Sequence, residues 1–328
     1  MSDSYYGRPV IKEPVWTREI PAYFFTGGLG GASAGLAYVS ALTGNDVLAR
    51  RAWTIALVGV SASPPLLISD LGVPSRFLNM LRMFRMTSPM SVGSWILSAS
   101  APATGVAAIN ALTGRFPRAA AVAKPAAAVL GLPLSTYTGA LIANTAVPAW
   151  HEARRTLPAL FASGAAASAG AAATMLTPVR HAAPARRLAL VGAAGELAVA
   201  SVMERNLGPL GEPYHEGTSG TVSRAAKVAT SVGAVVIAAS GGRRRSAALL
   251  GGAVLLAGAA AERFAVFRAG FASAQRPEHT VRPQRERVEA ARRDAPRAVS
   301  TTVRWGGVPG SAAPSPRALG RHRGARAR

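Results

Sequence analysis

What most constrains this chain is the sorting of its residues: long runs of Ala, Gly, Leu and Val alternate with short segments that carry most of the charge. Apolar spans lie at about 19–42, 51–71, 89–112, 119–145, 157–177, 186–204, 221–240 and 245–263, and Arg stands in the loops between them. A bilayer core about 30 Å thick needs about 20 helical residues to cross, so eight spans fit. The reading is an all-α membrane protein of about eight transmembrane helices, arranged as two four-helix bundles. The last two spans have the shortest apolar cores. Composition points the same way, because the 328 residues are 49% hydrophobic and only 16% charged, yet the net charge is +22. Apolar blocks in one solvent and cations in another resolve that combination. The competing reading is an Ala-rich soluble helical protein, but spans one to five have too few polar residues to give any helix a wetted face.

Residues 1–18 form a polar N-terminal segment without a signal-peptide pattern, so the first span is expected to be retained as a membrane helix. Residues 19–268 form the transmembrane domain. Residues 269–328 are rich in Arg, Pro, Ala and Ser without apolar periodicity, and are read as a disordered basic tail that contacts membrane lipid rather than nucleic acid. Lys and Arg divide almost evenly between the two sets of loops. The Arg-rich tail tilts the positive-inside rule toward cytoplasmic termini in the plasma membrane. Gly27, Gly31 and Gly35 fall four apart, a small-residue face for close helix packing.

Several kinds of chemistry are excluded for this chain alone. It has no Cys, so it builds no iron–sulfur cluster, disulfide or thiolate metal site. Its five His residues, 151, 181, 215, 279 and 322, fall in expected loops or the tail, so paired haem ligands inside the bilayer are absent. HEARR at 151–155 is not HExxH, and no metal site is expected. Electrons handled by this protein must therefore pass to a partner.

With eight spans, both termini and the loops after spans two, four and six share one side. Glu19, Tyr23, Asp70, Arg76, Arg82, Arg85, Ser91 and Trp95 converge there, and Tyr137 should lie roughly 12 Å below that face. Its phenol can donate to a carbonyl of a lipid-soluble ligand or to a neighbouring backbone carbonyl. Glu196 is the acid nearest the middle of a span, and reads either as a proton relay or as a neutral Glu bonded to a neighbouring helix. Glu204 and Glu262 stand beside Arg205 and Arg263 at expected helix ends, where interfacial pairing accounts for them.

Three stretches carry a family resemblance: WTREIPAYFFTGGLGGASA (16–34), LLISDLGVPSRFLNMLRMFRMTSPMSVGSWIL (66–97) and PLSTYTGALIANTAVPAWHEARRTLPALF (133–161). They resemble the polysulfide reductase NrfD-type membrane subunits over roughly the first half of the chain. The middle stretch is the most specific, with SDLG-x-P-x-RF-x-N-M followed by SPMSVGSW. The resemblance implies an eight-helix quinone-reactive subunit without haem or iron–sulfur cluster of its own. It further implies two partners, a ferredoxin-like four-cluster iron–sulfur subunit and a molybdopterin catalytic subunit. By the same resemblance Tyr137, with Glu19 and Tyr23, surrounds an exchangeable menaquinone or ubiquinone; Trp95, which converges on the same face, is read as a further contact. Asp70 accepts protons, and Arg76, Arg82 and Arg85 face the iron–sulfur partner. Some relatives carry a His near the start of the first helix, where this chain has none. The rival functions are a structural anchor that never touches quinone and, further off, a transporter, which needs a polar path across the membrane.

Overall fold

The computed structural model describes residues 10–281 together with Arg285 and Glu289. Most of the expected tail lies outside the described residues. Among the described residues the chain is helical, without strands, and eight long helices dominate: α1 (Glu19–Leu42), α2 (Asp46–Ser69), α3 (Pro89–Thr113), α4 (Pro117–Ala143), α5 (Leu157–Leu176), α6 (Ala183–Leu207), α7 (Gly217–Ser240) and α8 (Arg245–Gln275). Their ends follow local chemistry. Asn45 caps α2 through Oδ1, which accepts from Leu48 N at 3.2 Å, and Ser88 caps α3 just ahead of Pro89. Gly114, in the left-handed region at φ 73°, closes α3.

Contacts close α1–α4 into one four-helix ring and α5–α8 into another, joined where α1 and α4 meet α5 and α1 meets α8. Short connections alternate the helix directions, so the starts of α1, α3, α5 and α7 share one end with the finishes of α2, α4, α6 and α8. That end gathers the large aromatic residues Tyr23, Phe24, Tyr137, Trp150, Phe161, Tyr214 and Phe267 in one core. Toward the other end the core is mainly Ala, with Trp53.

Six of these helices, α2, α3, α4, α5, α7 and α8, are long and apolar enough to cross a membrane. α1 and α6 fall short on composition: Gly, Ser and Thr dilute the first, and Arg186, Arg187, Glu196 and Glu204 the second. Both departures have a packing reason. α1 is enclosed by α2, α4, α5 and α8, so protein rather than lipid solvates much of it, and Glu196 of α6 is buried inside the second ring. The last two helices, expected to be the most marginal, both qualify. α8 also runs past the expected boundary at 268, since its charged residues Glu262 and Arg263 are buried in the helix interior instead of marking its end.

Close approach of backbones sets the α1–α4 crossing. A Cβ on Gly31 would meet the Gly131 carbonyl oxygen at 2.5 Å, and one on Gly131 would overlap the Gly31 carbonyl in return. The expected stripe is only partly used, because Gly35 has nothing within 4 Å while Gly30 abuts Val60. Gly131→Val should therefore lower the thermal stability of the chain by about 3 kcal/mol, the scale of severe overpacking. Gly35→Ala should be neutral or stabilising, and comparable unfolding midpoints for the two variants would refute the crossing.

Beyond α8 the chain folds back on the connection after α6. Arg276 bonds Glu212 at 2.9 Å and Glu216 at 2.8 Å, and His279 meets Ser273 Oγ at 3.1 Å. Burial, followed by the Arg276 charge, holds His279 below its ordinary pKa. Its folded pKa is thus lower than its unfolded one near 6.5, so this latch is at full strength above about pH 6.5 and weakens as pH falls through the folded value. Proteolysis after Gln275 should accelerate on acidification in the wild type and lose that dependence in His279→Gln.

Candidate functional site

A cavity of ≈ 220 Å³ opens at the aromatic end of the first ring. Each wall comes from a different element. α1 contributes Ile20, Tyr23 and Phe24, spaced so that one helix face carries all three; α4 contributes Tyr137 and Leu141, one turn apart. α3 adds Met90 and Ser94, again one turn apart, and the segment after α2 adds Asp70 and Met80, with Trp16 at the entry to α1.

The walls are largely apolar with a few placed polar groups, the usual make-up of a small-molecule site. The rings of Tyr23 and Tyr137 meet edge-on with centroids 6.4 Å apart. Among the described residues neither phenol hydroxyl makes a hydrogen bond, which leaves two donors available to a ligand. Ser94 is already committed to the Met90 and Ser91 carbonyls. Asp70 Oδ1 accepts from Thr17 N at 2.8 Å and Thr17 Oγ1 at 2.7 Å, tying the end of α2 to the entry of α1. Trp16 stacks on Trp150 at 5.8 Å, and Trp150 is anchored in the second ring by Nε1 donating to the Val266 carbonyl at 2.8 Å. The second ring thereby holds one wall of a cavity in the first.

Of the residues expected here, Tyr137, Tyr23 and Asp70 come together at the cavity. Glu19 and Trp95 do not line it. Glu19 is the first residue of α1, about 100° of helix rotation from the lining residue Ile20. Trp95 follows Ser94 by about 100° of helix rotation; it is 41% exposed and pairs edge-on with Phe84. Ser91 pins the preceding segment instead, accepting from Arg85 N and donating to the Met83 carbonyl. Arg76, Arg82 and Arg85 are all exposed on residues 72–88, beside exposed Leu78, Met83, Phe84 and Met86.

Residues missed from sequence include Trp16, Phe24, Ser94 and Gly93. The signal was present for the first three, which stand in the quoted stretches within a few residues of those singled out. Gly93 is different: a Cβ there would overlap the Tyr137 ring, a relation only the α3–α4 packing creates.

Glu196 lies in the second ring, 2% exposed, facing Arg263. Glu262 and Arg263 are not interfacial but 3% and 2% exposed, and Glu204 pairs with Lys227 rather than Arg205. These are corrections to the expected pairing at helix ends. Sequence adjacency misleads there because neighbours along a helix point about 100° apart.

Residues 10–203 match the family model described as polysulphide reductase, NrfD. The chain belongs to that family. Among curated proteins no relative matches it. The match covers the first ring and most of α5 and α6, and so includes every wall of the cavity. The family is one of membrane subunits of respiratory oxidoreductase complexes, and its apolar helices make this NrfD-family chain a multi-pass membrane protein.

Proposed function

We propose that the chain is the quinone-reactive membrane subunit of its complex, passing electrons between a membrane quinone or quinol and an iron–sulfur partner. The observation that carries this reading is the cavity itself, with two free phenol hydroxyls deep in an apolar pocket and a carboxylate at its edge. A quinone ring is flat and apolar with a carbonyl at each end, and such walls with such donors suit it. All eight helices cross the bilayer in this reading, α1 and α6 being admitted because neighbouring helices shield them.

Oxidation of quinol releases two electrons and two protons. Tyr23 and Tyr137 orient the ring oxygens, and Asp70 takes a proton at the aqueous edge, its second oxygen being free of the Thr17 bonds. Electrons leave to the nearest cluster of a ferredoxin-like iron–sulfur subunit, itself joined to a molybdopterin catalytic subunit. Arg76, Arg82 and Arg85, exposed at the same end beside apolar Met and Phe, form the docking surface for the iron–sulfur subunit. The Arg-rich C-terminal region favours termini on the cytoplasmic side of the plasma membrane.

The test compares quinone-linked turnover in membranes carrying the assembled complex, for wild type, Tyr137→Phe and Asp70→Asn at equal assembly. Each variant should lose on the order of 10²-fold in quinone turnover, the scale of a lost proton-transfer group, with artificial-dye activity of the catalytic partner intact. Full quinone activity in both would leave the chain a structural anchor.

A further inference from the structure

The second ring contains a group of charges that the quinone reading does not use. Glu196 of α6 and Glu262 and Arg263 of α8 are each at most 3% exposed, inside helices rich in Ala, Gly, Leu and Val. Arg263 Nη2 donates to the Phe161 carbonyl at 2.8 Å, and the guanidinium lies 4.2 Å from the centre of the Phe161 ring. Nη1 stands 4.0 Å from Glu196 Oε1, an ion-pair distance beyond hydrogen-bond reach. Both oxygens of Glu196, Oε1 of Glu262, and Nε and Nη1 of Arg263 are buried without a hydrogen-bond partner. Gly164 of α5 leaves the room for this group, since a Cβ there would overlap Glu196 and approach Arg263 Nη2 at 2.6 Å.

Charge counting restricts its state. Two ionised carboxylates against one guanidinium would bury an unmatched charge, which costs several kcal/mol in such surroundings. One carboxylate and one carboxylic acid make the group neutral. The other elements do not change this balance. α5 offers Phe161 and Gly164, neither ionisable; α7 offers Lys227, which is taken by Glu204 of α6. The connection after α6 brings Tyr214, buried with its hydroxyl unpartnered and within electrostatic range of both Glu262 and Glu204. His215 follows, its ring 61% exposed and its Nε2 3.9 Å from Glu204 Oε2. Of these groups, Glu204 and His215 stand within ion-pair distance of each other, and His215 reaches the surface.

We propose that Glu196 and Glu262 share one exchangeable proton against Arg263, which makes this cluster a proton-loading site. Loading is the reaction of one carboxylate with one proton to give the acid; no electron moves. The site is separate from the quinone cavity, although Arg263 packs on Phe161 and Phe161 on Phe24 of the cavity wall, with ring centroids 5.7 Å apart.

The first experiment treats membranes carrying the full complex with dicyclohexylcarbodiimide, which adds across a protonated carboxyl in apolar surroundings to leave an N-acylurea without losing any atom. Peptide masses should show a single adduct per chain, on Glu196 or Glu262, that fades as pH is raised, while Glu204 stays unmodified. No adduct on either residue, or adducts on both in one chain, overturns the shared proton. Infrared spectra supply the second readout: the carboxylic-acid carbonyl band should disappear in Glu196→Gln and equally in Glu262→Gln, because the remaining carboxylate then pairs with Arg263. Persistence of the band in both variants refutes sharing. If neither variant accumulates, the labelling of the wild type decides alone.

Discussion

Gly93→Ala should abolish most quinone-linked turnover while leaving the helices and the partner's dye activity in place. A Cβ on residue 93 would fall onto the Tyr137 ring, 2.6 Å from Cδ2 and 2.9 Å from Cζ and nearer still to Cε2. Neither helix offers relief by sliding, since α3 is held at its start by the Ser88 cap and the Ser91 bonds, and α4 by the Gly31–Gly131 crossing. The phenol must shift to clear the added carbon, and its hydroxyl shifts with it. Misplacing a positioning group by about 1 Å costs on the order of 10²-fold in rate. The control is Gly105→Ala on the same helix, where nothing lies within 4 Å of the added carbon. Turnover measured against quinol concentration at equal assembly checks both, and wild-type kinetics in Gly93→Ala would show that Tyr137 does not position the ligand.

Arg263→Leu should destabilise the chain by about 3–5 kcal/mol, the cost of removing one partner from a buried charge pair. The guanidinium is the cation facing Glu196, it satisfies the Phe161 carbonyl, and its stacking on the Phe161 ring adds about 2 kcal/mol when desolvated. Leu replaces none of these. Glu262→Gln, by contrast, should be tolerated, because it leaves Glu196 and Arg263 matched. Thermal inactivation midpoints in membranes order the two variants, and an Arg263→Leu protein as heat-resistant as wild type would mean that the cluster is hydrated and its charges need no compensation.

These two residues also mark where reading the sequence stopped short. The site residues that sequence found, Tyr137, Tyr23 and Asp70, sit in stretches with a distinctive order of residues, and the expected topology brings all three to one end of the bundle. Glu19 and Trp95 lie in the same stretches, one residue around the helix from a lining position, and fail for that reason. Arg263 was read as the end of a span because a charge inside an apolar run ordinarily marks one. Its carboxylate partner stands on a different helix, 67 positions earlier in the chain.

The sequence by itself determined the class of this protein. Apolar blocks of helical length and segregated arginines leave a helical membrane protein, because burial of backbone and charge in lipid obeys composition more than detail. Its family is likewise written in three local stretches. The tertiary structure alone decided which of the polar residues share a space. Two rings of four helices bring Tyr23 beside Tyr137, close Gly93 against a phenol, and bury Glu196 facing Arg263. Such pairings depend on helix rotation and register, and a side chain a few tens of degrees out of place changes neighbours while the hydropathy of its helix stays the same.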